Sequence, residues 1–500
     1  MAWHARHAPD AVAIIEDGLR VTYLDLAADL LRHARALRRL GVAAGEVVGL
    51  QTRHRCLHLT LALACELIGA ASLSLTAGEL TACELTDGVP LPAQCDHLLT
   101  EAPPPRHKRA HHLTGAWLAQ AAALPVGPAD LQELDRGGAP ERVTRLARSS
   151  GTTGAPALMA VTGANQQRMI VENTAPLAPL LRPRMVFLCA YHLTLRGAYH
   201  RVLGCLQQGG LVHFAQAPEL PALIAAGAVN CAMFLVRDVQ HLVHQARRPP
   251  AGHVLHIETI GAVVPPALRR LIRERLGARF ATWYSCNEAG RIAAVDDDEC
   301  GTLCPGVAVR IVDDAGRDQP PGAAGHIHVR TGTMVQGYWR DPARTAARFR
   351  DGWFVTGDVG IMPQADRLLV LGRSDDILNI GGRKIAPAPL EQRIRTIHGI
   401  NDAALLRVVD DTGVEQLVVA IETHDGHPPP GLAAKVQAIL HGNHSTFVLH
   451  TLRDFPRTET GKLQRTTLAT TLLCRSHARE RSASEATPGE GSVTSRTTPP

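Results

Sequence analysis

The run Arg148-Ser149-Ser150-Gly151-Thr152-Thr153-Gly154-Ala155-Pro156 sets two glycines and four hydroxyl side chains in consecutive positions. A loop of that kind is flexible and can turn many donors toward one centre, which suits a polyphosphate cradled by backbone N–H groups. It is not a Walker loop, because no Gly-Lys-Ser/Thr follows. The same composition also makes a plain linker, so the run by itself leaves both readings open. Metal-ligand patterns are weaker still. His192 with His200, and His424 with His427, lack a carboxylate or cysteine to complete a set.

A scaffold must hold whatever these groups do. Five hundred residues exceed a single hydrophobic core, so a large, internally divided domain and a smaller one are expected. At 45% hydrophobic and 20% charged residues the chain has the composition of an ordinary globular protein. A formal charge of +5, spread along the chain, makes no case for nucleic acid and suits small anionic ligands. The basic residues are nearly all arginine; Lys108, Lys384, Lys435 and Lys462 are the four lysines. Eleven scattered cysteines, with Cys300 and Cys304 lacking a matching second pair, predict neither a zinc site nor a disulfide framework. Reduced thiols in a cytoplasm fit that usage. The opening Met1-Ala-Trp-His-Ala-Arg6 has no apolar core behind it, so no export signal is read. The apolar stretch Leu57 to Leu75 carries His58, Glu66 and the break Gly69-Ala70, and predicts a buried helix then a buried strand, with no membrane span.

Periodicity supplies the elements. Strands are predicted at Ala11–Ile15 and Leu19–Tyr23, followed by a helix from Leu24 to Leu40 with Leu26, Leu30, Leu31, Ala34 and Leu37 at helical spacing. Strands near Val47–Leu50, Val186–Leu188, Met233–Leu235 and Ile257–Ile260 alternate with helical stretches, an α/β pattern with buried sheets. Residues from Thr86 to Glu141, rich in Pro, His and Ala, read as surface loops and short helices. From Gly301 to Val329 short strands and turns predict a β-rich subdomain. After Leu371 a compact αβ pattern begins: Ile377–Ile380, a helix over Ala388–Ile397, strands at Ala403–Val409 and Gln416–Ile421, and a helix over Leu432–Leu440. The expected division is 1–371 as a large domain of two αβ sheet subdomains plus the β-rich one, 372–376 as hinge, 377–473 as a small α+β domain, and 474–500 as a disordered tail.

Further motifs follow in order: Trp283-Tyr284-Ser285-Cys286-Asn287-Glu288, Gly337-Tyr338-Trp339, Gly352-Trp353-Phe354-Val355-Thr356-Gly357-Asp358, Gly372-Arg373-Ser374-Asp375-Asp376, Ile380-Gly381-Gly382-Arg383-Lys384, and Pro456-Arg457-Thr458-Glu459-Thr460-Gly461-Lys462. With the loop at Ser149 they resemble the signatures of the adenylate-forming superfamily: acyl- and aryl-coenzyme A synthetases, adenylation domains of peptide synthetases, and firefly-type luciferases. The resemblance runs from the Val21-Thr-Tyr23 segment to Arg465.

It implies an AMP-forming acid–thiol ligase using ATP, Mg²⁺ and coenzyme A, with two alternatives: a stand-alone adenylation protein that loads an acyl carrier protein, or a degenerate nucleotide-binding paralogue. Ser149, Ser150, Gly151, Thr152, Thr153 and Gly154 would hold the phosphates. Tyr284 would lie against adenine with Thr282 and Trp283 near its edge, since aromatic faces suit a flat base. Asn287 would donate to phosphate. Glu288 would offer a hard oxygen to Mg²⁺. Asp358 would accept both ribose hydroxyls, with Arg373 beside it. Lys462 would stabilise charge on the reacting phosphate oxygens. Asp375 would be the hinge, and Gly381-Gly382 would line the pantetheine tunnel, where only glycine permits close approach.

Three positions depart from that pattern: Ala157 stands where the signature has lysine, Ser285 where it has glycine and Asn287 where it has threonine. The segment Cys189 to Gly197 occupies the place of an acyl-site motif. It holds no Asp for a substrate amine, which argues against an amino acid. Arg196 in it reads as a structural arginine, with pairing to a second substrate carboxylate as the alternative.

Overall fold

The computed structural model describes residues 1–472 apart from 82–84, 87–88, 104–106, 136–137, 150–156, 178, 182, 262–263, 265, 377, 381–382, 410–414, 424, 441–445 and 459–462. The tail expected at 474–500 lies outside the described residues.

Local signals set the first elements. Thr22 caps the helix Tyr23–Arg39: its hydroxyl accepts the Asp25 N–H at 3.1 Å, and the Asp25 carboxylate accepts the Thr22 N–H at 3.1 Å. The predicted stripe of Leu26, Leu30, Leu31, Ala34 and Leu37 is buried. The stretch from Leu57 resolves into a helix, Arg55–Ile68, ended by Gly69 at φ 87°, and then the buried strand Ala71–Ser74. A glycine is needed there because L-residues resist that backbone conformation.

One sheet has six strands, in the order Leu158–Thr162, Val143–Arg148, Ala71–Ser74, Val47–Gln51, His97–Thr100 and Ala110–His112. Only the first pairing is antiparallel. The last two strands correct the reading of Thr86–Glu141 as loops and short helices. His97 is buried, and its ring meets His111 at 3.2 Å across the parallel pair, so histidines fill strand positions that polarity had assigned to the surface.

The second sheet has 14 strands. From the edge hairpin Leu19–Thr22 and Val12–Glu16 it runs through Leu211–Phe214, Val186–Cys189, Cys231–Leu235 and His256–Ile260 to Arg279–Cys286, parallel throughout after the hairpin. Beyond Arg279–Cys286 every pairing is antiparallel: Gly290–Val295, Gly301–Leu303, Arg367–Arg373, Trp353–Gln364, Gly325–Arg330 and Ala308–Val312. The β-rich part therefore continues the αβ sheet, and the strand Arg279–Cys286 is where one regime becomes the other.

The C-terminal part has its own sheet, Asp402–Val409, Glu415–Glu422 and Val448–Leu452. Alternation gives it two covered faces. Leu405 and Val419 pack with the helices Pro387–Arg395 and Leu432–Leu440, whereas Leu406 and Val418 pack with Phe455, Leu468 and Leu472. Arg465 ties the two layers, donating to both Glu391 carboxylate oxygens at 2.7 and 2.8 Å. Among the described residues, no helix is long and apolar enough to cross a membrane.

Candidate active site

The strands Val143–Arg148 and Leu158–Thr162 form a hairpin whose connection carries the candidate phosphate loop. Ser149 N–H donates to the Ala157 carbonyl at 2.8 Å, and Ala157 N–H donates to the Ser149 hydroxyl at 3.0 Å, so the mouth of the connection is closed by paired bonds. Ser150, Gly151, Thr152, Thr153 and Gly154 lie outside the described residues. Ala157, Leu158 and Met159 are all buried. The Asn287 side-chain amide donates to the Arg148 carbonyl at 3.0 Å, which joins the loop's hairpin to the second sheet.

Three of the predicted residues meet in one cluster. Strand register sets Asp358 opposite Arg373, and the Arg373 guanidinium donates to Asp358 Oδ1 at 3.3 Å and to the Thr356 carbonyl at 3.0 Å. Tyr284, from the strand where the sheet changes regime, donates its hydroxyl to Asp358 Oδ2 at 2.5 Å. Burial, reinforced by the Asp358 charge, pushes the Tyr284 phenol well above its usual range, so it stays a donor. The glycine before Asp358 has a steric cause: a Cβ at Gly357 would sit 2.9 Å from both Arg348 Nη1 and Arg373 Nη2, and its φ is 77°.

Thr282 is buried two positions before Tyr284 and shares its face by strand alternation. Trp283 turns the other way. Its ring lies 4.2 Å from the Arg291 guanidinium carbon, and Arg291 in turn donates to the fully buried Glu258 at 2.7 Å. Trp283 is therefore not brought into the cluster with Tyr284.

Glu288 sits in the turn between Arg279–Cys286 and Gly290–Val295. It is buried, and its Oε1 accepts the Tyr338 hydroxyl at 3.1 Å. The turn is pinned from behind, since the Thr331 and Thr333 hydroxyls donate to the Ala289 carbonyl at 2.6 and 2.7 Å. Tyr338 belongs to the Gly337-Tyr338-Trp339 motif, to which the sequence assigned no role. The next residue's N–H, that of Trp339, donates to the Leu158 carbonyl at 2.6 Å, so this segment bridges Glu288 and the phosphate-loop hairpin. Burial pushes the Cys286 thiol up, and both Glu288 and Asp358 push it further, so the two carboxylates share one electrostatic neighbourhood. A single protein carboxylate at that place fits Mg²⁺, a hard ion that keeps its remaining ligands from phosphates and water. Among the described residues the one cluster of three ligand-type groups, Glu16, Asp17 and His54, is elsewhere, and Glu16 is already paired with Arg55 at 3.0 Å.

Asp375 is exposed between the strand Arg367–Arg373 and the C-terminal elements. Its neighbour Asp376 lies 3.6 Å from Arg465. Gly381, Gly382 and Lys462 lie outside the described residues. Among the described residues on either side of Lys462, Arg457 and Leu463 form an antiparallel bridge, and Arg457 reaches Asp402 at 2.6 Å.

The family model described as AMP-binding enzyme matches residues 1–339. A 3-hydroxybenzoate–CoA ligase of Aromatoleum sp. (strain CIB) is 31% identical over 225 residues, 43% of this chain and 43% of the relative. A 3-hydroxybenzoate–CoA/4-hydroxybenzoate–CoA ligase of Thauera aromatica is 27% identical over 356 residues, 65% of this chain and 66% of the relative. The chain thus spans less than two thirds of the length of each of these relatives. In three dimensions it resembles ATP-bound MatB from Rhodopseudomonas palustris with a TM-score of 0.75, at 22% identity, over 94% of this chain and 98% of that one.

Proposed function

The chain belongs to the AMP-binding enzyme family, and from that premise we propose that it is an AMP-forming acid–thiol ligase that acts on a carboxylic acid other than an amino acid. The observation that carries the reading is the meeting of Tyr284, Asp358 and Arg373 at the end of the strand whose following turn holds Glu288, because the nucleoside and the metal-bound phosphates of one nucleotide need both carboxylates in one cleft.

Asp358 accepts the vicinal ribose hydroxyls, Arg373 holds that carboxylate in place, and the Tyr284 ring offers a face to adenine. Ser149 to Gly154 surround the phosphates. Mg²⁺, when bound at Glu288, neutralises charge on the phosphate oxygens. Lys462 stabilises charge as a substrate carboxylate oxygen bonds to the α-phosphorus and the bond to pyrophosphate breaks. The small domain then turns about Asp375, and Gly381-Gly382 admit a pantetheine arm. Its sulfur bonds to the acyl carbon, AMP leaves, and the thiol proton passes to solvent. We take coenzyme A as the thiol, and 1–371, 372–376 and 377–473 as the moving units. The resident compartment of this reading is the cytoplasm.

Acid-dependent exchange of labelled pyrophosphate into ATP tests the first half-reaction, and thioester formation on free coenzyme A against a carrier protein tests the second. No exchange with any carboxylic acid would sink the reading.

A further inference from the structure

Arg196 opens the helix Arg196–Gln207 and is buried. All three of its guanidinium nitrogens are buried and make no hydrogen bond. A buried guanidinium without acceptors is costly, and native structures satisfy such groups with protein, water or a ligand. Its polar neighbours in the same segment are spent: Tyr191 donates to Asp238 at 2.6 Å, and His192 meets the Thr52 carbonyl at 3.0 Å.

The position of Arg196 connects it to the proposed site. Burial lowers the pKa of Arg196 and the Glu288 carboxylate is the charge that most opposes this, yet among the described residues no carboxylate pairs with it. The adjoining Gly197 packs where a Cβ would stand 3.5 Å from Met233 Sδ and 3.9 Å from Ile260 Cδ1, so the helix start that carries Arg196 lies close against the strands Cys231–Leu235 and His256–Ile260. Arg145 is also buried nearby, its guanidinium carbon 3.8 Å from the centre of the Tyr199 ring, and it adds positive charge. A region that holds two buried arginines, one of them without an acceptor among the described residues, matches an anionic group on a substrate.

We propose that Arg196 is the specificity-determining residue of the acyl site and that the substrate is a dicarboxylic acid, its second carboxylate held by this guanidinium. The inference rests on the ligase reading above. The group that Arg196 takes is not the reacting carboxylate, because a two-pronged clamp would occupy both oxygens and blunt their attack on phosphorus. Lys462 and the metal already serve that end. The unreacting carboxylate keeps its charge through both half-reactions, so one arginine can hold it from acid to thioester.

The test uses the full-length protein and acid-dependent pyrophosphate exchange with matched pairs: hexanoate against adipate, and benzoate against isophthalate. The expected result is a kcat/KM for one of the diacids at least about tenfold above its partner, since a site built to bond a group rejects the analogue without it. The R196Q variant, shown folded by its melting temperature, brings that ratio toward one, and R196K retains part of it. Preference for the monoacids in the wild-type protein overturns this inference and leaves the ligase reading intact, whatever the variants do. A diacid preference that survives in R196Q also overturns it. Absence of exchange with every acid overturns both.

Discussion

Replacing Asp358 by asparagine separates nucleotide binding from folding. In the free protein Asp358 accepts the Tyr284 hydroxyl at 2.5 Å and the Arg373 guanidinium at 3.3 Å. An asparagine can keep both contacts, turning its carbonyl oxygen to Arg373 and its amide toward the tyrosine oxygen, which then accepts. The fold should therefore change little. The ribose is different, because its hydroxyls lose a charged acceptor. Hydrogen bonds to charged groups contribute about 1.5–3 kcal/mol, so the Kd for ATP should rise by about 10- to 150-fold. Calorimetric titration of ATP into D358N, beside a thermal melt of the free variant, reads both quantities. Unchanged ATP affinity at unchanged melting temperature would remove Asp358 from the nucleotide site and with it the cleft proposed here. The alanine variant is the contrasting case. It strands the buried Tyr284 hydroxyl, and that loss should appear in the melt as well as in the titration.

Tyr338→Phe removes the hydroxyl that orients Glu288, and loss of such an outer partner typically weakens metal affinity about 10- to 100-fold, which a Mg²⁺ titration of exchange activity would show as a shifted midpoint. Lys462→Ala should lower pyrophosphate exchange by about 10²–10³-fold while leaving the ATP Kd near wild type; equal losses in both would assign the lysine to binding instead. Glu258→Gln should destabilise the protein at pH 7 by about 3–5 kcal/mol, because it leaves Arg201 and Arg291 buried against a neutral group. Its pH dependence has a fixed sign. Burial alone would raise the Glu258 pKa, but the two guanidinium groups overrule it and hold the carboxylate well below its ordinary range. The stabilisation is then complete above the unfolded value of about 4.3 and is lost as pH falls below it, so the gap in melting temperature between wild type and E258Q should narrow in acid.

The elements that could be read in advance are those whose signal is local. The helix Tyr23–Arg39 shows its apolar stripe within its own length, and Gly69 marks the end of the next helix by chain conformation alone. Asp358 and Arg373 were paired by the family resemblance alone, and the register of the two strands, joined by a short connection, sets them opposite each other. What could not be read depends on partners distant in sequence. Tyr338 acquires meaning from Glu288, fifty residues before it. The strands His97–Thr100 and Ala110–His112 carry histidines that look like surface residues until the parallel pairing puts one ring against the other. The resemblance put Trp283 near the adenine edge, and strand alternation turns its ring to Arg291. The continuity of the β-rich part with the αβ sheet is likewise a matter of pairing, which composition does not encode.

The position of the nucleotide cluster accounts for a division of labour in the proposed reaction. Tyr284, Asp358 and Arg373 all stand on strands of one continuous sheet, and Glu288 is pinned to that sheet by Thr331, Thr333 and Tyr338. A sheet bonded along its whole width resists relative motion of these groups, so ATP meets ligands already in place and little ordering cost opposes its binding. In the proposed reaction Lys462 belongs to the small domain, which follows the exposed Asp375 in the chain. Were the ammonium on the same sheet, it would occupy the reacting centre throughout, and a thiol could reach the acyl carbon only past it. Two reactions at one carbon, with an anion leaving in each, are better served when the groups that hold AMP stay fixed and the group needed for the first step can withdraw. The buried Ala157 fits this arrangement: with a methyl where a second lysine could stand, the hold on the departing pyrophosphate would, in the proposed reaction, fall more heavily on Lys462 and on the metal proposed for Glu288.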